Sequence, residues 1–165
     1  NICTVLSCID VLREIKYTIP DKAVHNGLEN IRELTGFRGR WDIVQKDPVL
    51  ILDVAHNEDG IKQVTNQLKV NYPHSVLHFI LGFVKDKDIR NVLDLFPKTE
   101  HYYFTNAHIP RALAHTDLKN IAGESGLKGE SYDDVNDAIG EAKKNAKKND
   151  VIMVCGSLFI VAEVN

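Results

Sequence analysis

Val49-Leu50-Ile51-Leu52-Asp53-Val54-Ala55-His56-Asn57 is the stretch that decides the fold of this chain. Its apolar beginning predicts a buried β-strand, and a helical pattern starts directly after it. In open parallel α/β sheets, ligands bind beyond the carboxyl ends of the strands. Asp53, His56 and Asn57 are therefore candidate site residues, and Arg40, which precedes the strand, offers a cation for a phosphate.

Downstream of Gly36, apolar segments of strand length alternate with helical patterns. The predicted strands are residues 41–45, 49–54, 75–83, 101–104 and 151–155, and the predicted helices are residues 59–70, 88–95, 117–124, 132–149 and 158–164. Continuous apolar strands separated by helices indicate a largely parallel sheet that is covered on both faces. With right-handed crossovers, residues 36–165 are predicted to form a doubly wound, Rossmann-like α/β domain.

The pattern before Gly36 is different. Apolar residues repeat with helical spacing over residues 1–16, and a second helix is predicted over residues 21–34. An amphipathic helix needs a partner surface, since a lone helix is marginal in water. The only methionine is Met153. We therefore expect the chain to be a piece of a longer protein, with residues 1–35 as the helical tail and linker of a preceding domain.

Composition narrows the function classes. The chain has 165 residues, of which 44% are hydrophobic and 26% are charged, with a net charge of −3. These values are typical of a globular domain and give no reason to expect a nucleic-acid or membrane partner. Cys3, Cys8 and Cys155 are odd in number and lie in apolar surroundings, which predicts reduced, space-filling thiols and a cytoplasmic protein. The histidines lack metal-ligand spacing, so no metal ligand is predicted.

Two nucleotide-binding motifs are missing from the sequence. There is no glycine-rich dinucleotide fingerprint and no phosphate loop ending in Gly-Lys-Ser or Gly-Lys-Thr, which disfavours a nicotinamide enzyme and a self-sufficient ATPase. Polar residues at the predicted strand ends instead suit an anionic ligand that carries hydroxyls, because carboxylates accept from ribose and arginine offers a forked donor. These residues are Arg40, Asp53, His56, Asn57, Lys85, Asp86, Lys87, Asp88, Arg111, His115, Gly156 and Ser157. Gly156-Ser157 precedes a predicted helix, whose positive end favours a carboxylate.

Five short motifs follow one another along the chain. They are Gly39-Arg40-Trp41, Ile51-Leu52-Asp53-Val54-Ala55-His56-Asn57, Gly82-Phe83-Val84-Lys85-Asp86-Lys87-Asp88, Pro110-Arg111-Ala112-Leu113 and Val154-Cys155-Gly156-Ser157-Leu158-Phe159. With them the chain resembles the carboxy-terminal domain of folylpolyglutamate synthase/dihydrofolate synthase, in the Mur ligase superfamily. Residues 1–35 resemble the last helices of the central ATPase domain of that enzyme, and Asn1 matches a nucleotide-contacting asparagine.

The resemblance implies an ATP-dependent ligase. Family members use MgATP to phosphorylate the carboxylate of a folate or of dihydropteroate, and the amino group of L-glutamate then attacks the acyl phosphate. The phosphate loop, the Mg²⁺ ligands and a modified lysine belong to the amino-terminal ATPase domain, which would be the partner in cis. The resemblance therefore implies that this chain is inactive alone. The preference for dihydropteroate or reduced folate stays open.

The resemblance also implies roles for individual residues. Arg40 would contact the ATP phosphates, and Asp53 would bind the ribose and belong to the catalytic set. His56 would line the reaction centre near the acyl phosphate and the glutamate. Ser157 would hold the glutamate, and Arg111 would grip one of its carboxylates, by analogy with the amino-acid-binding arginine of Mur ligases. One departure is Glu58, which stands where the family commonly has proline and adds a negative charge.

Structural roles compete with these functional ones. Asn57 and Ser157 are also typical helix caps, His56 could be a structural histidine, and Arg40 could pair with a surface acid. Lys85 to Asp88 could be a solvated turn in which an aspartate caps a helix. The alternative function is a non-catalytic Rossmann-like domain that binds a nucleotide or a protein. An unrelated Rossmann oxidoreductase is a third and more distant alternative.

Overall fold

The computed structural model describes residues 2–85 and 89–165. The chain forms two compact units, of which the first ends at Arg38 and the second is Gly39–Asn165. The first unit contains α1 (Ile2–Glu14), α2 (Asp21–Glu29) and α3 (Ile31–Thr35). No residue in these three described helices is buried. The assignment of residues 1–35 to a preceding ATPase domain, and the boundary between residues 35 and 36, stay predictions.

A break at Asn30 corrects the single helix predicted over residues 21–34. Asn30 has φ −111° and ψ 29°, and it separates α2 from α3. Its side-chain amide donates hydrogen bonds to the carbonyl oxygen (3.1 Å) and the side-chain oxygen (2.8 Å) of Asn26. Asparagine side chains compete with backbone hydrogen bonding in this way, which disfavours a continuous helix. The apolar periodicity did not reveal the break.

The three cysteines are free thiols. Cys155 is buried, as the sequence predicted, whereas Cys3 and Cys8 are exposed on α1 and do not fill hydrophobic space. The prediction was wrong for these two because the helix that carries them has no buried residue. Among the described residues, no helix is both long and apolar enough to cross a membrane.

The second unit is a six-stranded sheet with flanking helices. Its elements in chain order are β1 (Asp42–Lys46), β2 (Val49–Leu52), α4 (Glu58–Asn71), β3 (Leu77–Leu81), α5 (Arg90–Leu93), β4 (His101–Phe104), α6 (His115–Glu124), β5 (Gly129–Ser131), α7 (Val135–Asn145), β6 (Val151–Cys155) and α8 (Leu158–Ala162). The strand order is β1-β2-β6-β3-β4-β5, in which β1 is antiparallel to β2 and the other pairs are parallel. The predicted mostly parallel α/β fold is confirmed.

Two hydrophobic clusters cover the two faces of the sheet. Along β6, Met153 and Cys155 belong to one cluster, whereas Ile152 and Val154 belong to the other. Helices α4, α5 and α6 contribute to the first cluster, and α7 and α8 contribute to the second. This alternation explains the uniformly apolar sequence of the central strands, since a strand that is buried on both faces has no polar side.

The edge strand β5 was missing from the sequence prediction. It consists of Gly129, Glu130 and Ser131, none of which is buried, and it pairs with Tyr102 to Phe104 of β4. A Cβ added to Gly129 would lie 1.9 Å from the carbonyl oxygen of Tyr102, so the close approach of the two strands requires glycine. A three-residue strand without apolar alternation gives no periodic signal.

Candidate functional site

The carboxylate of Asp53 organises the loop that follows β2. Oδ2 accepts a hydrogen bond from the backbone N–H of Trp41 (2.7 Å), and Oδ1 accepts one from that of Ala55 (2.8 Å). The residue is buried, with 8% of its surface exposed. Hydrogen bonds to an ionised acceptor are among the stronger ones in proteins. Asp53 therefore fastens the segment before β1 to the end of β2.

Arg40 lies on the segment that Asp53 holds. The carbonyl of Gly39 accepts a hydrogen bond from the Val54 N–H (2.8 Å). Gly39 has φ 86°, and a Cβ there would lie 2.8 Å from the Val54 side chain, so only glycine fits. Arg40 is exposed, and it forms no ion pair within the part of the chain that the structure describes. The described residues therefore give no support to the interpretation that Arg40 pairs with a surface acid.

His56 has one ring nitrogen in use. Nδ1 lies 2.8 Å from the carbonyl oxygen of Val54. Because a carbonyl only accepts, Nδ1 carries the proton, and Nε2 of the neutral ring is an acceptor. The next residue, Asn57, caps α4, and its Oδ1 accepts from the Gly60 N–H (2.9 Å). The capping interpretation of Asn57 is thus confirmed.

Ser157 is buried and caps α8. Its Oγ accepts a hydrogen bond from the Phe159 N–H (3.0 Å), which confirms the capping interpretation and leaves the hydroxyl proton for a further acceptor. The Gly156 N–H donates to the Ala55 carbonyl (2.8 Å). The loop after β2 therefore occupies this N–H, and binding of a carboxylate at the start of α8 stays a prediction for the Ser157 hydroxyl and the other backbone N–H groups there. Gly156 has φ 112°, and a Cβ there would lie 2.6 Å from the Gly82 carbonyl oxygen.

Arg111 reaches the same region from the segment after β4. Its carbonyl accepts from the Lys85 N–H (3.0 Å), and the Leu113 N–H donates to the Phe83 carbonyl (2.9 Å). These bonds join the segment to the loop that follows β3. The guanidinium carbon of Arg111 lies 4.8 Å from the centroid of the Phe159 ring, within the range of a cation–π contact.

A cavity of about 240 Å³ lies where these loops meet. It is lined by His56, Val84, Arg111, Gly156, Ser157, Leu158 and Phe159. It opens at the carboxyl ends of parallel strands, where α/β sheets bind ligands. Four residues singled out from the sequence therefore share one cavity, namely His56, Arg111, Gly156 and Ser157.

The other predicted site residues do not line this cavity. Arg40, Asp53, Asn57 and His115 lie outside its lining. Asn1 and residues 86–88, which the sequence analysis also singled out, lie outside the described residues. Lys85 is exposed, and its Nζ lies 3.5 Å from the Pro110 carbonyl oxygen. The described residues contain no group of three or more His, Cys, Asp and Glu side chains that could hold a metal ion.

Three apolar residues that line the cavity are not among the candidate site residues, namely Val84, Leu158 and Phe159. Sequence reasoning gave Phe159 no role in the site, because aromatic residues at helical spacing usually belong to the core. A larger cavity of about 500 Å³ lies at the opposite end of the sheet, beside Lys46, His74 and Lys148. None of the predicted site residues lines it, so its size alone does not make it the candidate site.

Cys155 lies behind the loops as a buried thiol. Burial raises its pKa well above the usual value, and the charge of Asp53 adds to the effect. A thiol that stays protonated is a poor nucleophile. Cys155 is therefore a packing residue at the end of β6.

Comparisons with known proteins agree with this architecture. A family described as Mur ligase, glutamate ligase domain, matches residues 39–158. The dihydrofolate synthase/folylpolyglutamate synthase of Bacillus subtilis is 29% identical over 148 residues, covering 88% of this chain and 33% of the relative. The enzyme of the same name from Escherichia coli is 29% identical over 159 residues, covering 96% of this chain and 36% of the relative. The chain thus spans about a third of the length of these relatives.

Solved structures of enzymes with these names contain the same fold as this chain. Escherichia coli FolC in complex with DHPP and ADP superposes with a TM-score of 0.76 at 28% identity, over 93% of this chain and 36% of that one. A bifunctional folylpolyglutamate synthase/dihydrofolate synthase with Mn, AMPPNP and L-glutamate bound superposes with a TM-score of 0.75, also at 28% identity and with the same coverage.

Proposed function

Because this chain belongs to the Mur ligase family through its glutamate ligase domain, we propose that it is the carboxy-terminal part of an ATP-dependent ligase. The proposed enzyme adds L-glutamate to a folate or to dihydropteroate through an acyl phosphate. The proposed partner of this domain is an amino-terminal ATPase domain in the same polypeptide. We further propose that the 165-residue chain is inactive alone, because it contains no phosphate loop.

The convergence of His56, Arg111 and Ser157 on one cavity is the observation that carries the proposal. A guanidinium binds a carboxylate through paired N–H donors, and the Ser157 hydroxyl adds another donor. When the His56 ring is neutral, its Nε2 atom can accept a proton from the ammonium group of the amino acid, which leaves an amine with a free lone pair for the attack. A cation, a hydroxyl and a basic nitrogen within one small cavity suit an amino acid that carries an additional carboxylate.

The nucleotide contacts are assigned to the neighbouring loop. Arg40 is exposed there and is proposed to contact the ATP phosphates, whose charge an arginine matches with its forked donors. Asp53 already accepts two backbone hydrogen bonds. A carboxylate has about four lone-pair sites, so Asp53 can also accept from a ribose hydroxyl. We propose Asn1 as a further nucleotide contact on the resemblance alone.

The chemistry of the step follows from these assignments. The acceptor carboxylate attacks the γ-phosphorus of ATP and ADP leaves, and the glutamate amine then attacks the acyl carbon and displaces phosphate. Electrostatic stabilisation of the transferring phosphoryl group supplies most of such catalysis. Mg²⁺ would neutralise phosphate charge, and we assign its ligands to the rest of the longer protein, because residues 2–85 and 89–165 provide no cluster that fits a metal. This chain would hold and orient the glutamate.

The relatives support the ligands that we propose. Escherichia coli FolC was solved in complex with DHPP and ADP, and a structural neighbour holds Mn, AMPPNP and L-glutamate.

Glu58, which departs from the family pattern, lies 3.4 Å from the Lys62 Nζ. This ion pair offsets part of the added negative charge, although exposed pairs contribute little free energy.

One experiment tests the proposal directly. We would measure phosphate release by the full-length protein with MgATP and L-glutamate, with dihydropteroate or tetrahydrofolate as acceptor. We expect release that depends on both glutamate and one acceptor, and the preferred acceptor names the substrate. The 165-residue chain alone should release none, and robust glutamate transfer by it would contradict the proposed division of the site between domains.

The second candidate is a non-catalytic domain that binds a nucleotide or a protein. It is favoured by the structural hydrogen bonds of Asp53 and Ser157, which a domain of this architecture needs whether or not it catalyses a reaction. No phosphate release with either acceptor, from a full-length protein shown to be folded, would favour this candidate over the ligase.

A further inference from the structure

The ring of Phe159 lies beside the guanidinium of Arg111 in the wall of the candidate cavity. We infer that Phe159 is a positioning residue, which holds Arg111 in the orientation that binds the carboxylate of the incoming amino acid. The inference rests on the proposed function, since it concerns the arginine that we assign to glutamate. The new element is the role of Phe159, which by orienting Arg111 would set the affinity of this arginine for the carboxylate.

The Arg111 side chain depends on the ring for its orientation. Backbone hydrogen bonds fix the main chain on both sides of it, through Lys85 to the Arg111 carbonyl and through Leu113 to Phe83. The guanidinium itself makes no hydrogen bond or ion pair with another side chain in the part of the chain that the structure describes. An exposed arginine has many rotamers, so the contact at 4.8 Å with Phe159 is what restricts this one.

The Phe159 ring is itself held in place. Its backbone N–H donates to the Oγ of Ser157, which fixes the first turn of α8. The ring is half-buried and packs against the hydrophobic cluster that contains Ile160 and Val161. The ring thus packs against the core and also contacts the Arg111 guanidinium.

The far end of α8 holds the same segment at a second point. Glu163 follows α8, and its carboxylate accepts from the backbone N–H of His108 (2.8 Å) and lies 3.0 Å from the His108 Nδ1. Residues 108–111 therefore contact α8 near both of its ends. The helix acts as a rigid support for the arginine, although Arg111 belongs to another loop.

This support favours carboxylate binding for a physical reason. Arginine binds a carboxylate best with both groups in one plane, and a flexible arginine loses side-chain entropy when it adopts that geometry. The contact with the aromatic ring restricts the guanidinium before the ligand arrives, and its N–H groups remain able to donate to a carboxylate. Removal of the ring should therefore weaken glutamate binding and leave the chemical step nearly unchanged.

The test is steady-state kinetics of the full-length protein, with phosphate release measured against L-glutamate concentration. We expect Phe159→Leu to raise the KM for glutamate by about threefold to tenfold, the range of a partly desolvated cation–π contact, with kcat within about twofold of wild type. Phe159→Tyr keeps the ring and should restore the wild-type KM. Tyr132→Leu is the matched control, because Tyr132 packs on the same hydrophobic cluster and does not line the cavity.

A double variant at Phe159 and Arg111 distinguishes a positioning role of Phe159 from a purely structural one. If Phe159 acts through Arg111, Phe159→Leu should change the KM little when Arg111→Ala is already present. An equal KM increase in both backgrounds, an unchanged KM in Phe159→Leu, or a fall in kcat that Phe159→Tyr does not restore would each overturn the inference. These results require an active wild-type enzyme, whereas a folded wild type without glutamate-dependent release would overturn the proposed function and this inference together.

Discussion

Replacement of Asp53 by asparagine tests how strongly one carboxylate holds the candidate site together. Both oxygens of Asp53 accept backbone N–H groups, from Trp41 at 2.7 Å and from Ala55 at 2.8 Å. Asparagine keeps one acceptor oxygen, but it turns its NH₂ group towards the other N–H. One charge-assisted hydrogen bond is lost, and a backbone donor is left facing another donor in a buried place.

The cost follows from these two losses. A hydrogen bond to a charged group contributes about 1.5–3 kcal/mol, and an unpaired buried donor costs about 1–3 kcal/mol. Because these terms overlap, we expect Asp53→Asn to lower the free energy of unfolding by about 2–4 kcal/mol. A domain of this kind has about 5–15 kcal/mol in total. The substitution should therefore be among the more destabilising ones at this edge of the sheet.

The assay is urea unfolding of the 165-residue chain at 25 °C, followed by circular dichroism. The matched control is Asp117→Asn, since Asp117 is exposed in the first turn of α6 and its loss should cost no more than about 1 kcal/mol. A loss below 1 kcal/mol for Asp53→Asn, or one equal to that of Asp117→Asn, would refute the reasoning. Such a result would mean that the backbone hydrogen bonds of the Asp53 carboxylate contribute little to stability, and that ligand binding is the better explanation for this residue.

Three further results are expected from named contacts. Ser157→Ala removes the cap of α8 and should cost about 1 kcal/mol in urea unfolding, while Ser157→Thr should recover most of it. Gly156→Ala places a Cβ 2.6 Å from the Gly82 carbonyl oxygen at φ 112°, so it should cost about 1–3 kcal/mol or more; a neutral effect would show that the loops can separate. Burial lowers the pKa of His78 below its ordinary value of 6.5, although a hydrogen bond to Asp150 opposes the shift. The unfolded chain therefore binds the proton first, so stability should fall as the pH drops below about 6.5, and His78→Gln should reduce that slope.

The strands were predictable because burial on both faces leaves a continuous apolar run. The bounds of β4 and β6 agree with the prediction to the residue, and β3 lies within its predicted segment. The break at Asn30 and the edge strand β5 were not predictable in this way. The first depends on the side-chain hydrogen bonds of Asn30, and the second depends on pairing with a strand that is distant in sequence.

The candidate site was partly predictable for a similar reason. Polar residues that follow apolar strands identified His56 and Ser157, because strand ends of a parallel sheet lie at one edge. Arg111 was also among the polar residues assigned to the strand ends, whereas its role in binding a glutamate carboxylate came from the family resemblance. Phe159 was missed because a ring that supports an arginine has the same sequence pattern as a ring that fills the core.

The strand order explains why the cavity forms where it does, and sequence did not provide that order. β6 lies between β2 and β3, although it is the last strand in the chain. The helices that follow β2 and β6 pack on opposite faces of the sheet, α4 on one and α8 on the other. Adjacent parallel strands whose helices diverge leave a crevice at their carboxyl ends. His56 lies on one side of this crevice and Ser157 on the other, so the last strand of the chain completes a site that the second strand begins.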